Sequence, residues 1–142
     1  MMVVVDASVI AKWYMPEIHS LEAEFLIANH FELHSPELAI PEFGNILWKK
    51  CRLGELSIQE SLTIVETFLC EGVTFHPQSE LIHMSVSLAN ATGQSVHDCI
   101  YLTLAMSLDC QLITADRKFF IGLRSTPYKK NAVWIEQVGS LN

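Results

Sequence analysis

Four acidic side chains interrupt segments of the sequence that are otherwise apolar. They are Asp6 at the end of "VVVD", Glu42 in "LAIPEFGNILW", Asp98 in "SVHDCIYLTLA" and Asp116 at the end of "LITAD". The chain has 16 Asp and Glu residues in total, and most acidic residues of a folded protein are solvated surface charges. An acid inside a segment that buries its neighbours is poorly hydrated, which makes it a candidate for chemistry.

Taken singly, each of these acids also fits a structural role. Asp6 and Asp116 follow predicted strands and suit helix N-caps, whereas the other two acids fall in first helical turns, where the helix dipole favours negative charge. If the four meet at one place they repel, because two like charges about 4 Å apart cost on the order of 4 kcal/mol at an effective dielectric near 20. Such a group binds protons or cations, and oxygen ligands suit Mg²⁺ or Mn²⁺.

Several polar residues close to these acids are candidates for substrate binding. Ser8 and Thr114 carry hydroxyls that can orient a carboxylate or a water molecule, and Ser8 equally fits a capping role. Lys12 lies on the first predicted helix, where it either approaches the acids or is solvated. Arg117 and Lys118 follow the last acid and either contact a phosphate or are plain surface charges.

Other polar and aromatic residues have weaker patterns. Asn45 lies one turn after the second acid on the same predicted helix and can hydrogen-bond to it. His97 precedes the third acid, as in HD phosphohydrolases, but the remaining five histidines lack the pattern that those enzymes need. Trp13, Trp48 and Tyr101 are expected to fill the core or a subunit contact rather than to stack on bases.

The apolar periodicity places these residues on a predicted framework of strands and helices. Strands are expected at 2–5, "ELHSP", "VTFH", "QLITA" and "AVWIEQV". Helices are expected at 7–14, from His19, from Pro41 to Gly54, from the capping box at Ser57 to Gly72, from 81 to 91, and over "SVHDCIYLTLAMSLD". This alternation predicts an α/β fold with a mostly parallel sheet covered on both faces. Ligands of such sheets bind outside the carboxyl ends of the strands.

Length and composition limit the classes of protein to consider. The 142 residues predict a single domain, 1–142. A net charge of −7 argues against broad electrostatic attraction to nucleic acid, although an acidic enzyme can recruit a phosphodiester through cations. The four cysteines are widely spread, and the chain shows neither a signal peptide nor an apolar run of membrane-spanning length. We therefore expect a cytoplasmic protein with free thiols and no membrane association.

The ordered acids and their flanking motifs resemble the PIN domain family, metal-dependent ribonucleases that include VapC-type toxins. The resemblance covers essentially the whole chain, through "VVVDASVIAKW", "PELAIPEFGNILWK", "SVHDCIYLTLAMSLDCQLITADRKF" and the closing "VWI". It implies a three-layer α/β/α sandwich with a central parallel sheet. It also implies an acidic site formed by Asp6, Glu42, Asp98 and Asp116, with Asp6 and Asp98 as the most direct metal ligands.

The same resemblance implies a function and partners. The expected activity is cleavage of RNA with Mg²⁺, for which Mn²⁺ is a possible substitute, by the toxin of a type II toxin–antitoxin system. The expected partners are the RNA substrate, a cognate antitoxin and a second copy of the chain.

The sequence departs from many relatives after the last acid, where Arg117, Lys118 and Phe119 replace a further acidic residue. This departure leaves open a catalytically degenerate domain that acts as a protein-interaction module. A phosphatase of the haloacid dehalogenase type, with Asp6 as nucleophile, ranks last because position 8 is Ser rather than Asp.

Overall fold

A computed structural model describes residues 1–141, which form five strands and seven α-helices. The strands are β1 (Met2–Val5), β2 (Glu32–Pro36), β3 (Val73–His76), β4 (Gln111–Thr114) and β5 (Ala132–Trp134). The helices are α1 (Ala7–Tyr14), α2 (Ser20–Ala28), α3 (Ala39–Arg52), α4 (Ile58–Cys70), α5 (Ile82–Thr92), α6 (Val96–Ser107) and α7 (Arg117–Gly122). Short 3₁₀ helices span Gln78–Glu80, Pro127–Asn131 and Ile135–Ser140. Residue 142 of the predicted domain lies outside the described residues.

The five strands form one parallel sheet in the order β3-β2-β1-β4-β5. Strand β1 lies at the centre, where Val4 is opposite His34 of β2 and Leu112 of β4. The chain leaves β1 toward β2 and leaves β4 toward β5, in opposite directions along the sheet. A crevice between two neighbouring strands whose connections diverge is the usual ligand site of such a fold.

Helices cover both faces of this sheet, as the continuous apolar runs predict. The three valines of β1 are fully buried, which requires packing on each side because successive side chains point to opposite faces. Helices α1, α2, α3 and α4 pack against one another, while α5 packs on α6, which contacts β1, β2 and β4. The predicted three-layer α/β/α sandwich is confirmed.

The helix starts follow the capping residues of the sequence. The predicted capping box is present at α4, where the Ser57 hydroxyl accepts from the Glu60 N–H and the Glu60 carboxylate accepts from the Ser57 N–H. The side chains of Asp6, Ser95 and Asp116 cap α1, α6 and α7, and each accepts a hydrogen bond from a backbone N–H of the first helical turn. Two of the four acids, Asp6 and Asp116, therefore also stabilise the N-termini of helices.

Two predictions near the C-terminus are wrong. The strand predicted over "AVWIEQV" ends at Trp134, and a 3₁₀ helix follows. Its buried residues, Ile135 and Val138, are three positions apart, which matches the three-residue period of a 3₁₀ helix rather than the alternation of a strand. The six-residue helix α7 is absent from the predicted order of elements because it is too short to show a helical period.

Among residues 1–141, every helix is too short or too polar to cross a bilayer.

Candidate active site

A cavity of about 410 Å³ opens where β1 and β4 end, and all four predicted acids line it. Asp6 and Asp116 come from the ends of these adjacent strands, while Glu42 and Asp98 come from the first turns of α3 and α6. The fold thus gathers acids that are up to 110 positions apart in the sequence. They lie at the crevice that the strand order predicts as a ligand site.

Asp6 is the most enclosed of the four acids, with 9% of its surface exposed. Its Oδ1 accepts hydrogen bonds from the Ser8 hydroxyl at 2.5 Å and from the Val9 N–H at 3.0 Å. Its Oδ2 accepts from the Thr114 hydroxyl at 2.5 Å. Asp6 therefore caps α1 and lines the cavity at the same time, because a carboxylate has two oxygens with several acceptor positions.

Thr114 connects the two acids that end adjacent strands. Its hydroxyl donates to Asp6 and accepts a hydrogen bond of 3.0 Å from the Asp116 N–H. Asp116 in turn accepts from the Phe119 N–H at 3.0 Å, which caps α7. One buried hydroxyl thus fixes the relative position of both strand ends.

Glu42 is held at the cavity by the packing of its neighbour. Phe43 is buried, and its ring lies 4.6 Å from the ring of Phe68 and 5.5 Å from that of Tyr14, measured between centroids. Aromatic pairs at these distances stabilise beyond the area that they bury. The start of α3 is therefore anchored, and Glu42 faces the opening beside Phe43.

Helix α6 supplies three residues to the cavity, His97, Asp98 and Tyr101. Asp98 lies in its first turn, and Tyr101 follows three positions later, on the same helical face. The Tyr101 hydroxyl donates a hydrogen bond to Glu42 Oε1. Sequence reasoning assigned Tyr101 to the core or a subunit contact; its spacing from Asp98 was the signal that could have placed it here.

Burial is the main cause that raises the pKa of three of these carboxyls. Burial raises the pKa of Asp6 from 3.8 to about 6, against the lowering effect of the hydrogen bonds that it accepts. Burial also raises the pKa of Glu42 and of Asp98. Nearby negative charge adds to each shift: Asp116 acts on Asp6 and Asp98, and Asp98 acts on Glu42. His97 acts against the rise in the pKa of Glu42 and Asp98, and Lys118 acts against that of Asp98, but burial outweighs both.

The donor set suits a hard divalent cation, because it consists of carboxylate oxygens. Within residues 1–141, however, no three His, Cys, Asp or Glu side chains are close enough together to ligate one ion. The acids surround the cavity, and Asp6, Glu42 and Asp116 accept hydrogen bonds from separate donors. The predicted convergence is therefore looser than a formed metal cluster.

The polar candidates near the acids have different positions. Lys12 is buried and absent from the cavity lining; its Nζ lies 3.2 Å from Glu17 Oε2. Lys118 lines an adjacent cavity of about 350 Å³, which Asp98 and Asp116 also line. Arg117 is exposed and lies outside the lining of both cavities.

Asn45 and His97 both line the main cavity. The hydrogen bond that Glu42 accepts from a side chain comes from Tyr101, rather than from Asn45 as predicted.

Residues 3–121 match the family model of the PIN domain. The chain belongs to the PIN domain family. Ribonuclease VapC3 from Pyrobaculum aerophilum is 36% identical to it over 120 residues, which cover 83% of this chain and 92% of that protein. The family membership predicted from the sequence motifs is confirmed.

Solved structures of other PIN-like chains share the fold. The crystal structure of PAE2754 from Pyrobaculum aerophilum superimposes with a TM-score of 0.71 at 23% identity, covering 99% of this PIN domain and 90% of that chain. A toxin–antitoxin complex from Klebsiella pneumoniae gives a TM-score of 0.56 at 15% identity, covering 92% and 95%. At these identities the likeness establishes the architecture of the PIN domain.

Proposed function

We propose that this PIN domain is a metal-dependent endoribonuclease and the toxin of a type II toxin–antitoxin system. The observation that carries the proposal is the arrangement of Asp6, Glu42, Asp98 and Asp116, which come from four separate elements and line one cavity at the end of the sheet. The 36% identical relative is a ribonuclease of the VapC type. The reaction is hydrolysis of an RNA phosphodiester bond.

Each acid has a separate task in this reaction. When bound, Mg²⁺ or Mn²⁺ lowers the pKa of a water molecule and offsets negative charge on the phosphate. Asp6 and Asp98 bind the ion most directly, and Glu42 and Asp116 complete the ligand set. A carboxylate of this set accepts the proton of the attacking water.

The hydroxyls around Asp6 orient it for this task. Ser8 and Thr114 donate to different oxygens of the carboxylate, so that its rotation about χ2 is restricted. Outer hydrogen bonds of this kind fix the ligands of metal sites. The phosphatase alternative stays without support, because position 8, where such an enzyme needs a second aspartate, is a serine that donates to Asp6.

The proposed partners are a cognate antitoxin and a second copy of the chain, in the cytoplasm. The structure from Klebsiella pneumoniae contains a toxin together with its antitoxin. In this chain, the end of α3 and the start of α4 expose Trp48, Leu53, Ile58 and Leu62, each more than half exposed. Large exposed apolar side chains close together favour a protein partner.

Purified protein is expected to cleave single-stranded RNA with Mg²⁺ or Mn²⁺ and to stop when EDTA is added. Glu42→Gln should slow cleavage by at least about 10-fold, because it removes a charge that the ion needs. The readout is the rate of product formation on a gel. Glu66→Gln is the matched control, because Glu66 is an exposed residue of α4 outside the cavity. A Glu42→Gln protein that cleaves as fast as the control would contradict the site.

The alternative is a degenerate PIN domain that binds proteins. It is favoured by the residues after Asp116, where Arg117, Lys118 and Phe119 stand in place of a further acid, with Phe119 buried. This alternative predicts that Mn²⁺ leaves the melting temperature unchanged and that RNA is not cleaved. An active enzyme gives the opposite result in both measurements.

Lys118→Ala is expected to weaken RNA binding. Lys118 lines the cavity beside Asp98 and Asp116, where an RNA strand that crosses the acids passes close to its ammonium. Loss of one phosphate contact should reduce the salt dependence of binding, with a slope smaller by about 0.7 for single strands. Fluorescence anisotropy with uncleaved RNA in Ca²⁺ measures this slope. Lys129→Ala is the control, and equal slopes for the two variants would exclude the contact.

A further inference from the structure

The hydroxyl of Tyr101 reaches the acidic cavity from helix α6, in which the residues from Cys99 to Ala105 are buried. The residue lines the cavity, yet only 4% of its surface is exposed. Its O–H donates to Glu42 Oε1. This hydrogen bond joins helix α6 to an acid in the first turn of α3.

The helix that carries Tyr101 cannot easily adjust to its neighbours. Each residue of α6 from Cys99 to Ala105 is buried, so the ring of Tyr101 is surrounded by packed side chains. Glu42, in contrast, is half-buried and its carboxylate stands at the edge of the cavity. Because the tyrosine is fixed and the glutamate is the more exposed partner, the hydrogen bond sets the position of the glutamate.

The two carboxylate oxygens of Glu42 differ in their hydrogen bonds. Oε1 accepts from Tyr101, which leaves Oε2 without a side-chain donor among the hydrogen bonds of residues 1–141. Asp98 is on the same face of α6, one turn earlier, so a single helix positions one acid directly and a second acid through the tyrosine.

We propose that Tyr101 is a positioning residue for the metal site: its hydroxyl holds Glu42 so that Oε2 faces the cavity and binds the cation. The inference rests on the proposed metal-dependent function, and it adds a residue that the acidic motif does not contain. Tyr101 itself contacts neither the ion nor the RNA. It acts through Glu42 alone.

Tyr101→Phe is expected to weaken binding of Mn²⁺ to the metal-free protein about 10-fold, as loss of an outer hydrogen bond does in other metal sites. The ring is retained, so the packing of α6 should be unchanged. Calorimetric titration with Mn²⁺ measures the affinity. Tyr128→Phe is the matched control, because Tyr128 lines a separate cavity with Met106 and Cys110. Cleavage by Tyr101→Phe should need more Mn²⁺ for half its maximal rate and reach nearly the wild-type rate at saturation.

A double-mutant cycle separates positioning from a general structural effect. In a Glu42→Gln background, Tyr101→Phe should produce no further loss of Mn²⁺ affinity, because the residue through which it acts has lost its charge. Glu42→Asp provides a second background, since it retains the charge but withdraws the carboxylate from the hydroxyl. There too, Tyr101→Phe should have no further effect.

Each other outcome overturns the proposal. Unchanged Mn²⁺ affinity in Tyr101→Phe shows that the hydrogen bond does not position a ligand. An equal loss in the Glu42→Gln background shows that the tyrosine acts by another route. Failure of the wild-type protein to bind Mn²⁺ instead refutes the proposed function, which the wild-type titration tests by itself.

Discussion

Asp6→Asn is expected to abolish RNA cleavage and, at the same time, to make the metal-free protein more stable. The catalytic loss should be at least about 100-fold, because a central metal ligand loses its charge. The gain in stability follows from burial of this carboxylate, with 9% of its surface exposed and no cation among the residues that donate to it. The loss of activity and the gain in stability both follow from removal of the same buried charge.

The size of the stability gain follows from the pKa of the carboxyl. Burial raises the pKa of Asp6 from 3.8 to about 6, which corresponds to about 3 kcal/mol of cost for the charged form at neutral pH. Asparagine has the same shape and keeps an oxygen that can accept from the Val9 N–H. In the variant, the amide NH₂ group takes the place of the oxygen that accepts a hydrogen bond from the Thr114 hydroxyl. The Thr114 hydroxyl must therefore rotate so that it accepts a hydrogen bond from this amide. We therefore expect a net gain of about 1–3 kcal/mol in the free energy of unfolding.

Urea unfolding in EDTA at neutral pH measures this free energy. The matched control is Asp109→Asn, since Asp109 is the one aspartate of the sequence that is absent from the cavity lining. It is exposed and has a φ of 52°, a conformation that asparagine also adopts readily. The control should change neither cleavage nor stability appreciably. An Asp6→Asn protein that is less stable than wild type would show that the charge is compensated in the folded protein.

Much of this fold could be predicted from the sequence, because its signals are local. The valines before Asp6 identify the central strand, and the pairing of Ser57 with Glu60 identifies the start of a helix from two residues alone. The acids could be predicted for a related reason. Each interrupts an apolar segment, and in a parallel sheet such interruptions at strand ends meet at one edge.

The contacts within the site could not be predicted in the same way, because they depend on side chains that meet only in the folded protein. Thr114 donates to Asp6 across 108 positions, and Tyr101 donates to Glu42 across 59. Tyrosine in an apolar helix has the pattern of a core residue, and its hydroxyl adds no periodic signal. Lys12 is a similar case, since its burial beside Glu17 depends on a loop that the helical pattern does not describe.

The stability of the metal-free protein is expected to fall as pH rises from about 4 to about 6. The folded state raises the pKa of Asp6 from 3.8 to about 6, so it binds a proton more tightly than the unfolded chain does. The stabilisation is complete below the unfolded pKa and is lost as pH rises through the folded pKa, which amounts to about 3 kcal/mol for this group. The raised pKa values of Glu42 and Asp98 act in the same direction.

Saturating Mn²⁺ should reverse this dependence, because metal ligands must lose their protons before they bind an ion. Stability then rises with pH over the same range, as deprotonated carboxylates gain a cation that stabilises only the folded state. Urea unfolding at several pH values, with EDTA and with Mn²⁺, gives the slope of the free energy of unfolding against pH in both conditions. Asp6→Asn isolates the contribution of the central acid, since it should flatten the slope in EDTA. If the free energy of unfolding of the wild-type protein in EDTA instead rises with pH, the negative charges of the acids are already compensated in the metal-free protein. The cavity then has no need of a cation.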